Sequence, residues 1–309
     1  MIVAFIDSHK RWFGVEPICR VLTEHGMKIA PSTYYAARSR PPSARAVSDE
    51  QLLVVIQQIW EDNFRCYGVV KMWHALHRDG HQVGRDRVAR LMRIAGISGA
   101  VRGRHRTVTT RRDPAAARHP DLVKRGWDVE EPDAVWVADF TYVWTYQGFC
   151  YVSFITDVAS RRILGWKAST SKETALVTDA LQQALATRRR LDSGFTTTGL
   201  VHHSDAGSQY TSLALSEQLR EAGIAGSIGT VGDALDNALM ESTIGLFKTE
   251  LIHAVGAPSW SSRQHVETAT AAWVDWFNYQ RLHSSIGHQT PVEYETEYHQ
   301  THAQKPLVA

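Results

Sequence analysis

The chain has 309 residues, 43% of them apolar, and a net charge of +2. Such a length holds one large domain or two to three small ones. No apolar run reaches the roughly 20 residues that span a bilayer, so no membrane anchor is expected. The start Met1-Ile2-Val3-Ala4-Phe5-Ile6-Asp7 lacks the basic leader of a secretory signal. Cys19, Cys66 and Cys150 form no Cys-x-x-Cys pair, which argues against a disulfide framework or a zinc site and for a reducing cytoplasm.

The charge is divided along the chain. Residues 1–125 carry 22 Lys and Arg against 11 Asp and Glu, and the remainder carries 12 against 21. A basic front suits a polyanion, and an acidic rear offers oxygen ligands to hard cations.

Residues 1–46 read as a helical segment and linker. Ile18, Val21 and Leu22 have helical spacing, Gly26 ends that helix, Pro31-Ser32-Thr33 starts another, and Ser39-Arg40-Pro41-Pro42-Ser43 is a linker by composition. Residues 47–100 read as a helix-turn-helix-like domain. A helix from Ser48 carries Leu52, Val55, Ile56 and Ile59 on one face, and Tyr67-Gly68 then opens a helical pair. Val69, Val70, Trp73 and Leu76 form the stripe of its first helix; Val88, Leu91 and Met92 form that of its second, Gly84 to Arg93. Arg85, Arg87, Arg90 and Arg93 on the second helix suit entry into a major groove or an ordinary solvated face, and both readings stay open. Residues 101–130, with Arg102, Arg104, Arg106, Arg111 and Arg112, read as a basic linker able to follow a phosphate backbone.

The catalytic region is placed at 131–295, with a tail at 296–309. Runs at Ala134–Val143, Phe149–Thr156 and Arg162–Lys167 predict an antiparallel meander, its first turn at Thr145-Tyr146-Gln147-Gly148. A helix over Lys172–Arg190, a strand over Leu200–Ser204, a helix over Ser212–Ala222, a strand over Ile224–Ile228, a helix over Ala234–Leu251 and a last helix over Ser262–Tyr279 follow. This is an α/β mixed sheet of five strands flanked by helices, in an order that resembles the ribonuclease H-like fold.

Three acids stand out within it. Asp139 interrupts the apolar run 135–143, where an unpaired carboxylate is costly. Asp205 ends the run 200–205. Glu241 lies in a helical pattern, with 35 residues between it and Asp205, and Lys248 follows it by seven. Asn237, Glu241 and Lys248 share one helical stripe. Asp233 and Asp236 have an adequate explanation in helix capping and the helix dipole. Phosphodiester chemistry needs charge neutralisation on the phosphate and an activated oxygen. Two divalent cations about 3.5–4 Å apart supply both. Mg²⁺ takes oxygen ligands and keeps several waters, so a few carboxylates suffice. Asp139 on a central strand, Asp205 at the end of its neighbour and Glu241 from a helix are expected to converge at one sheet edge.

The motifs Trp136-Val137-Ala138-Asp139-Phe140-Thr141-Tyr142-Val143, His202-His203-Ser204-Asp205-Ala206-Gly207-Ser208-Gln209-Tyr210, Asp236-Asn237-Ala238-Leu239-Met240-Glu241-Ser242 and Trp276-Phe277-Asn278-Tyr279-Gln280-Arg281-Leu282-His283, with Ser32-Thr33-Tyr34-Tyr35 and Tyr67-Gly68 upstream and Thr290-Pro291-Val292-Glu293-Tyr294 near the end, run through nearly the whole chain. The chain resembles the second-reading-frame (OrfB) transposases of bacterial insertion sequences, which carry a retroviral-integrase-like catalytic core. The resemblance implies an enzyme that cuts and joins double-stranded DNA at element ends. Asp139, Asp205 and Glu241 would hold Mg²⁺, with Mn²⁺ as substitute, and Lys248 would contact the DNA end. Asn278, Arg281 and His283 would serve DNA handling or core packing. It also implies a homodimer or higher oligomer on DNA, partnered by the upstream-frame protein or fused to it. A nuclease that hydrolyses without joining, and a non-catalytic regulator that binds DNA, are the alternatives.

Overall fold

The computed structural model describes residues 2–101, 122, 129–205, 207–228 and 238–303. The chain divides after Val55 into two compact units. The first contains α1 (Ile2–Phe13), α2 (Val15–Glu24) and α3 (Pro31–Ser39). That is one helix more than the sequence predicts, because Gly14 at φ 75° breaks what reads as one segment. Ile6, Ile18, Cys19, Leu22 and Tyr34 are its core, and the Tyr34 hydroxyl donates to Asp7 at 2.7 Å.

Helix α4 (Ala44–Asp62) crosses the division and begins before the boundary expected at residue 46. Leu52, Ile56 and Ile59 of its predicted face are buried. Helices α5 (Val69–Arg78) and α6 (Arg85–Ile94) form the expected pair. Val88, Leu91 and Met92 point inward, but the buried stripe of α5 runs through Met72 and Leu76, leaving Val70 exposed. The second unit also attaches this pair to its own C-terminal region. The Tyr67 hydroxyl accepts from the Leu282 amide at 2.9 Å, and the Trp276 indole donates to Asn63 at 3.1 Å.

A five-stranded sheet dominates the second unit, in the order β3-β2-β1-β4-β5. Its strands are β1 (Val135–Thr145), β2 (Gly148–Asp157), β3 (Ile163–Ser169), β4 (Val201–Ser204) and β5 (Ala225–Ile228). The first three pair antiparallel, as the meander reading predicts, and β4 and β5 add parallel to β1. The β1–β2 turn falls at Tyr146-Gln147, where Thr145 Oγ1 donates to the Gly148 carbonyl at 2.7 Å.

Apolar side chains cover both faces. On one, Ala180, Leu181, Ala184 and Leu185 of α7 (Thr174–Leu191) meet Trp136, Ala138, Ile155 and Leu164. Small residues bring this helix close: a Cβ on Gly165 would stand 2.1 Å from the Ala180 carbonyl oxygen. Gly165→Ala should therefore cost about 1–3 kcal/mol by overpacking, read as a lower denaturant midpoint at unchanged slope. On the other face Phe154 meets Phe247 at 5.0 Å, Phe247 meets Trp273 at 5.3 Å, and Trp273 meets Phe277 at 4.8 Å. This aromatic chain seats α9 (Ala238–Phe247) and α10 (Arg263–Tyr279) against the sheet. Helix α8 (Leu213–Glu221) joins β4 to β5, and α11 (Pro291–Ala303) runs through residue 295, where a tail is expected to begin.

Behind the sheet, Glu295 of α11 is 4% exposed. It accepts from Arg188 at 2.7 and 2.9 Å, from Ser160 at 2.8 Å and from Arg162. Arg188 also reaches Asp133 at 2.7 Å. Among the described residues, no helix is long and apolar enough to cross a membrane.

Candidate active site

Strand register brings the first two acids together. Ala138 pairs with Ser204 across the parallel β1–β4 ladder, so Asp139 and Asp205 are the next residues on adjacent strands. Neighbouring strands lie about 4.8 Å apart, and residues level with each other point to the same face. That face is set by Phe154, the antiparallel partner of Asp139 and part of the aromatic chain beneath α9. Glu241 projects from the first turn of α9 and is exposed, whereas Asp139 and Asp205 are half-buried.

Burial, then the charge of Asp205, and to a smaller extent Glu241, push the Asp139 carboxyl well above its ordinary range, against the pull of the Phe140 amide and Lys248. The Phe140 N–H donates to Asp139 Oδ1 at 2.7 Å. Asp205 is raised by burial and by Glu241, opposed by the Gly207 amide. Burial lowers Lys248, and Asp139 partly restores it. Its ammonium lies 4.9 Å from the centre of the Tyr142 ring. At Lys248 the winding changes from α to a π-helical turn, Lys248–Ile252, closed by the His253 amide on the Lys248 carbonyl at 2.7 Å.

These are carboxylates short of positive charge, the donor chemistry a hard divalent cation satisfies. Among the described residues no three His, Cys, Asp or Glu side chains are gathered into a set ready to hold an ion. The donors fit in type and face, and Glu241 is the one standing outermost.

A raised acid holds its proton more tightly in the folded than in the unfolded chain. In metal-free protein its contribution to stability is present at low pH. That contribution is lost as pH rises from the usual carboxylate range through the raised values of Asp139 and Asp205. The melting temperature of the parent should drop further over that interval than that of Asp139→Asn, in paired thermal scans.

An integrase core domain model matches residues 129–234, a second integrase core domain model matches 222–291, and an HTH-like domain model matches 48–105. The chain is 45% identical over 313 aligned residues to the transposase for insertion sequence element IS629 of Shigella sonnei, covering 100% of both chains. The chain belongs to the insertion-sequence transposases. A second member, named as a transposase for IS986/IS6110 in Mycobacterium tuberculosis, is 48% identical over 273 residues, 88% of this chain and 97% of that one. Among solved structures, the catalytic core domain of BIV integrase aligns with 56% of the transposase and 99% of its own chain, at 20% identity and a TM-score of 0.40. Family membership rests on the insertion-sequence relatives, and the sheet order found here is that of the expected ribonuclease H-like core.

The other site expectations divide. Asn237, Arg102, Arg104, Arg106, Arg111 and Arg112 lie outside the described residues, as do Asp233 and Asp236. Arg85 is exposed and Arg87 half-buried on α6. Arg281 requires a correction. It is 4% exposed, and its guanidinium donates to Glu250 at 2.5 and 2.9 Å, so it packs the transposase core instead of meeting phosphate. Asn278 does the same, bridging the Ile163 amide and carbonyl at 2.9 and 2.8 Å. His202 and His203 are buried in β4, the latter 2.9 Å from Ser227 Oγ. Tyr142 escaped sequence reading. The signal was an aromatic three residues after Asp139 on the same strand, which pattern alone does not tell from core.

Proposed function

We propose that this transposase, a polynucleotidyl transferase, hydrolyses a phosphodiester at each end of its element and then joins the freed 3′-hydroxyl to target DNA, with Asp139, Asp205 and Glu241 as ligands of two Mg²⁺ or Mn²⁺ ions. The observation that carries this reading is the parallel β1–β4 register, which sets Asp139 and Asp205 side by side where Asp205 and Glu241 both raise the Asp139 carboxyl. When bound, the ions supply neutralisation of the phosphate and activation of the attacking oxygen.

The chain's own residues do the positioning. The β1 ladder and the Phe140 amide fix Asp139; the Gly207 amide holds Asp205; α9 carries Glu241 over them. Lys248, half-desolvated and drawn toward Asp139, supplies a cation to the phosphate backbone beside the cut. Lys248→Ala should weaken end binding about tenfold and flatten the slope of log affinity against log salt by about 0.9, one phosphate contact. Lys248→Arg should keep the slope. Arg85, Arg87 and the basic stretch 102–112 hold the flanking duplex. The active species is a homodimer or larger assembly that pairs two ends, in company with the upstream-frame protein or fused to it, in the bacterial cytoplasm on nucleoid DNA.

Labelled element ends incubated with the protein, target DNA and Mg²⁺ or Mn²⁺ test this, with cleavage and joining scored separately. Joined product is the expected result. Cleavage that never yields joined product would identify a simple nuclease.

A further inference from the structure

Past Ala138, the last residue of β1 paired to β4, the strand runs on to Thr145 with no strand paired on its β4 side among the described residues. On the face opposite Asp139, that stretch and β2 carry a ladder of rings. Tyr142 stands across from Tyr151 and Trp144 across from Phe149 in the strand register. Phe149 meets Trp144 at 4.9 Å and Tyr142 at 5.3 Å, both edge-on, and Tyr151 links back to Phe140 at 6.5 Å. The outer rings are open to solvent, Trp144 at 65% and Phe149 at 45% exposed. Residues 140–156 contain no charged side chain, so nothing within this stretch repels a polyanion, and Lys248 lies over Tyr142 at the inner end.

Resting on the assignment of Asp139 to the cleavage site, we infer that this ladder stacks unpaired nucleobases of the DNA end next to the scissile phosphodiester. At about 3.4 Å per residue, Tyr142 and Trp144 stand about 10 and 17 Å along the strand from Asp139, the reach of a few nucleotides. Whatever occupies the rings therefore shares the strand edge with the bond being cut. Aromatic faces accept any base, and the neighbouring ammonium satisfies the phosphate. A contiguous exposed aromatic surface marks an interaction site, and the Lys248 ammonium over Tyr142, together with the strand it shares with Asp139, selects DNA as its occupant.

The test measures cleavage by the full-length protein of intact element ends and of ends carrying one abasic site, moved in turn through the positions flanking the cut. Trp144→Ala and Phe149→Ala remove exposed rings and should leave the melting temperature within a few degrees; Trp144→Phe should keep parental rates. On intact ends each alanine variant should cut on the order of 10- to 100-fold more slowly, the value of one base–aromatic stack. At one abasic position the difference between variant and parent should vanish, because the ring has lost its base. An equal defect at every abasic position, or none on intact DNA, overturns the inference. So does a variant that cuts normally but has lost a self-association seen for the parent by sedimentation, which would make the ladder a contact between copies. Asp139→Asn is run alongside: if it still cuts, the acid assignment fails, while the ring–base coupling is read separately from the comparison of intact and abasic ends.

Discussion

Asp139→Asn should abolish cleavage and joining, by on the order of 10³-fold or more, while leaving the metal-free protein as stable as the parent or more so at neutral pH. The two effects have one cause. Asp139 is held beside Asp205, and burial with the charges of Asp205 and Glu241 raises its carboxyl. At neutral pH the folded chain carries that repulsion without a compensating ion, and the amide removes it while keeping shape. Losing a structural residue at a half-buried strand position lowers activity and stability together; losing a cation ligand separates them. Asp205→Asn should follow the same pattern, since it is raised by burial and by Glu241. Glu241→Gln should lose activity with little change in stability, as its side chain is exposed. Activity on labelled ends and thermal scans without metal, read on the same preparations, check all three.

Glu295→Gln should be among the most destabilising single changes in the second unit, at about 3–5 kcal/mol. Glu295 answers both Arg188 and Arg162 in a space where each is less than a tenth exposed. Arg162 would be left with a neutral partner while Arg188 keeps Asp133 at 2.7 Å, and a buried charge without its counter-charge is what makes breaking such pairs expensive. Two residues earlier, Glu293 provides the control. It binds Arg78 at 2.8 Å, but both side chains are over a third exposed. Glu293→Gln should cost under about 1 kcal/mol. Denaturant midpoints for the two variants measure the difference, and near-equal values would place the anchoring of α11 elsewhere.

Much of the catalytic sheet was legible because its strands are apolar runs bounded by turn residues. Asp139 was legible because it breaks one of them. Asp205 and Glu241 gained meaning from spacing and setting, and the β1–β4 register supplies the juxtaposition that spacing only suggests. What stayed hidden depended on long-range partners. Arg281 reads as a free basic residue until Glu250, 31 positions earlier in the chain, is seen buried against it. Helix α11 is mostly polar, and its docking is carried by Glu295, a residue no periodicity distinguishes from a solvated one. The π turn at Lys248 leaves no mark in composition, yet it lies where Lys248 and the buried Glu250 face different partners. In the stripe of α5, Leu76 is buried as expected, but Val70 is exposed and Met72 is buried in its stead, because a valine at 70 looks as apolar as Met72.

The most direct test of the three acids as one cation site is a Mn²⁺ titration of the full-length protein by calorimetry, paired with melting temperatures across the same concentrations. Binding only the folded state, the ion should raise the melting temperature of the parent as its concentration passes the dissociation constant. Asp139→Asn, Asp205→Asn and Glu241→Gln should each reduce both the heat and the shift. Parental Mn²⁺ binding in all three variants would contradict the account.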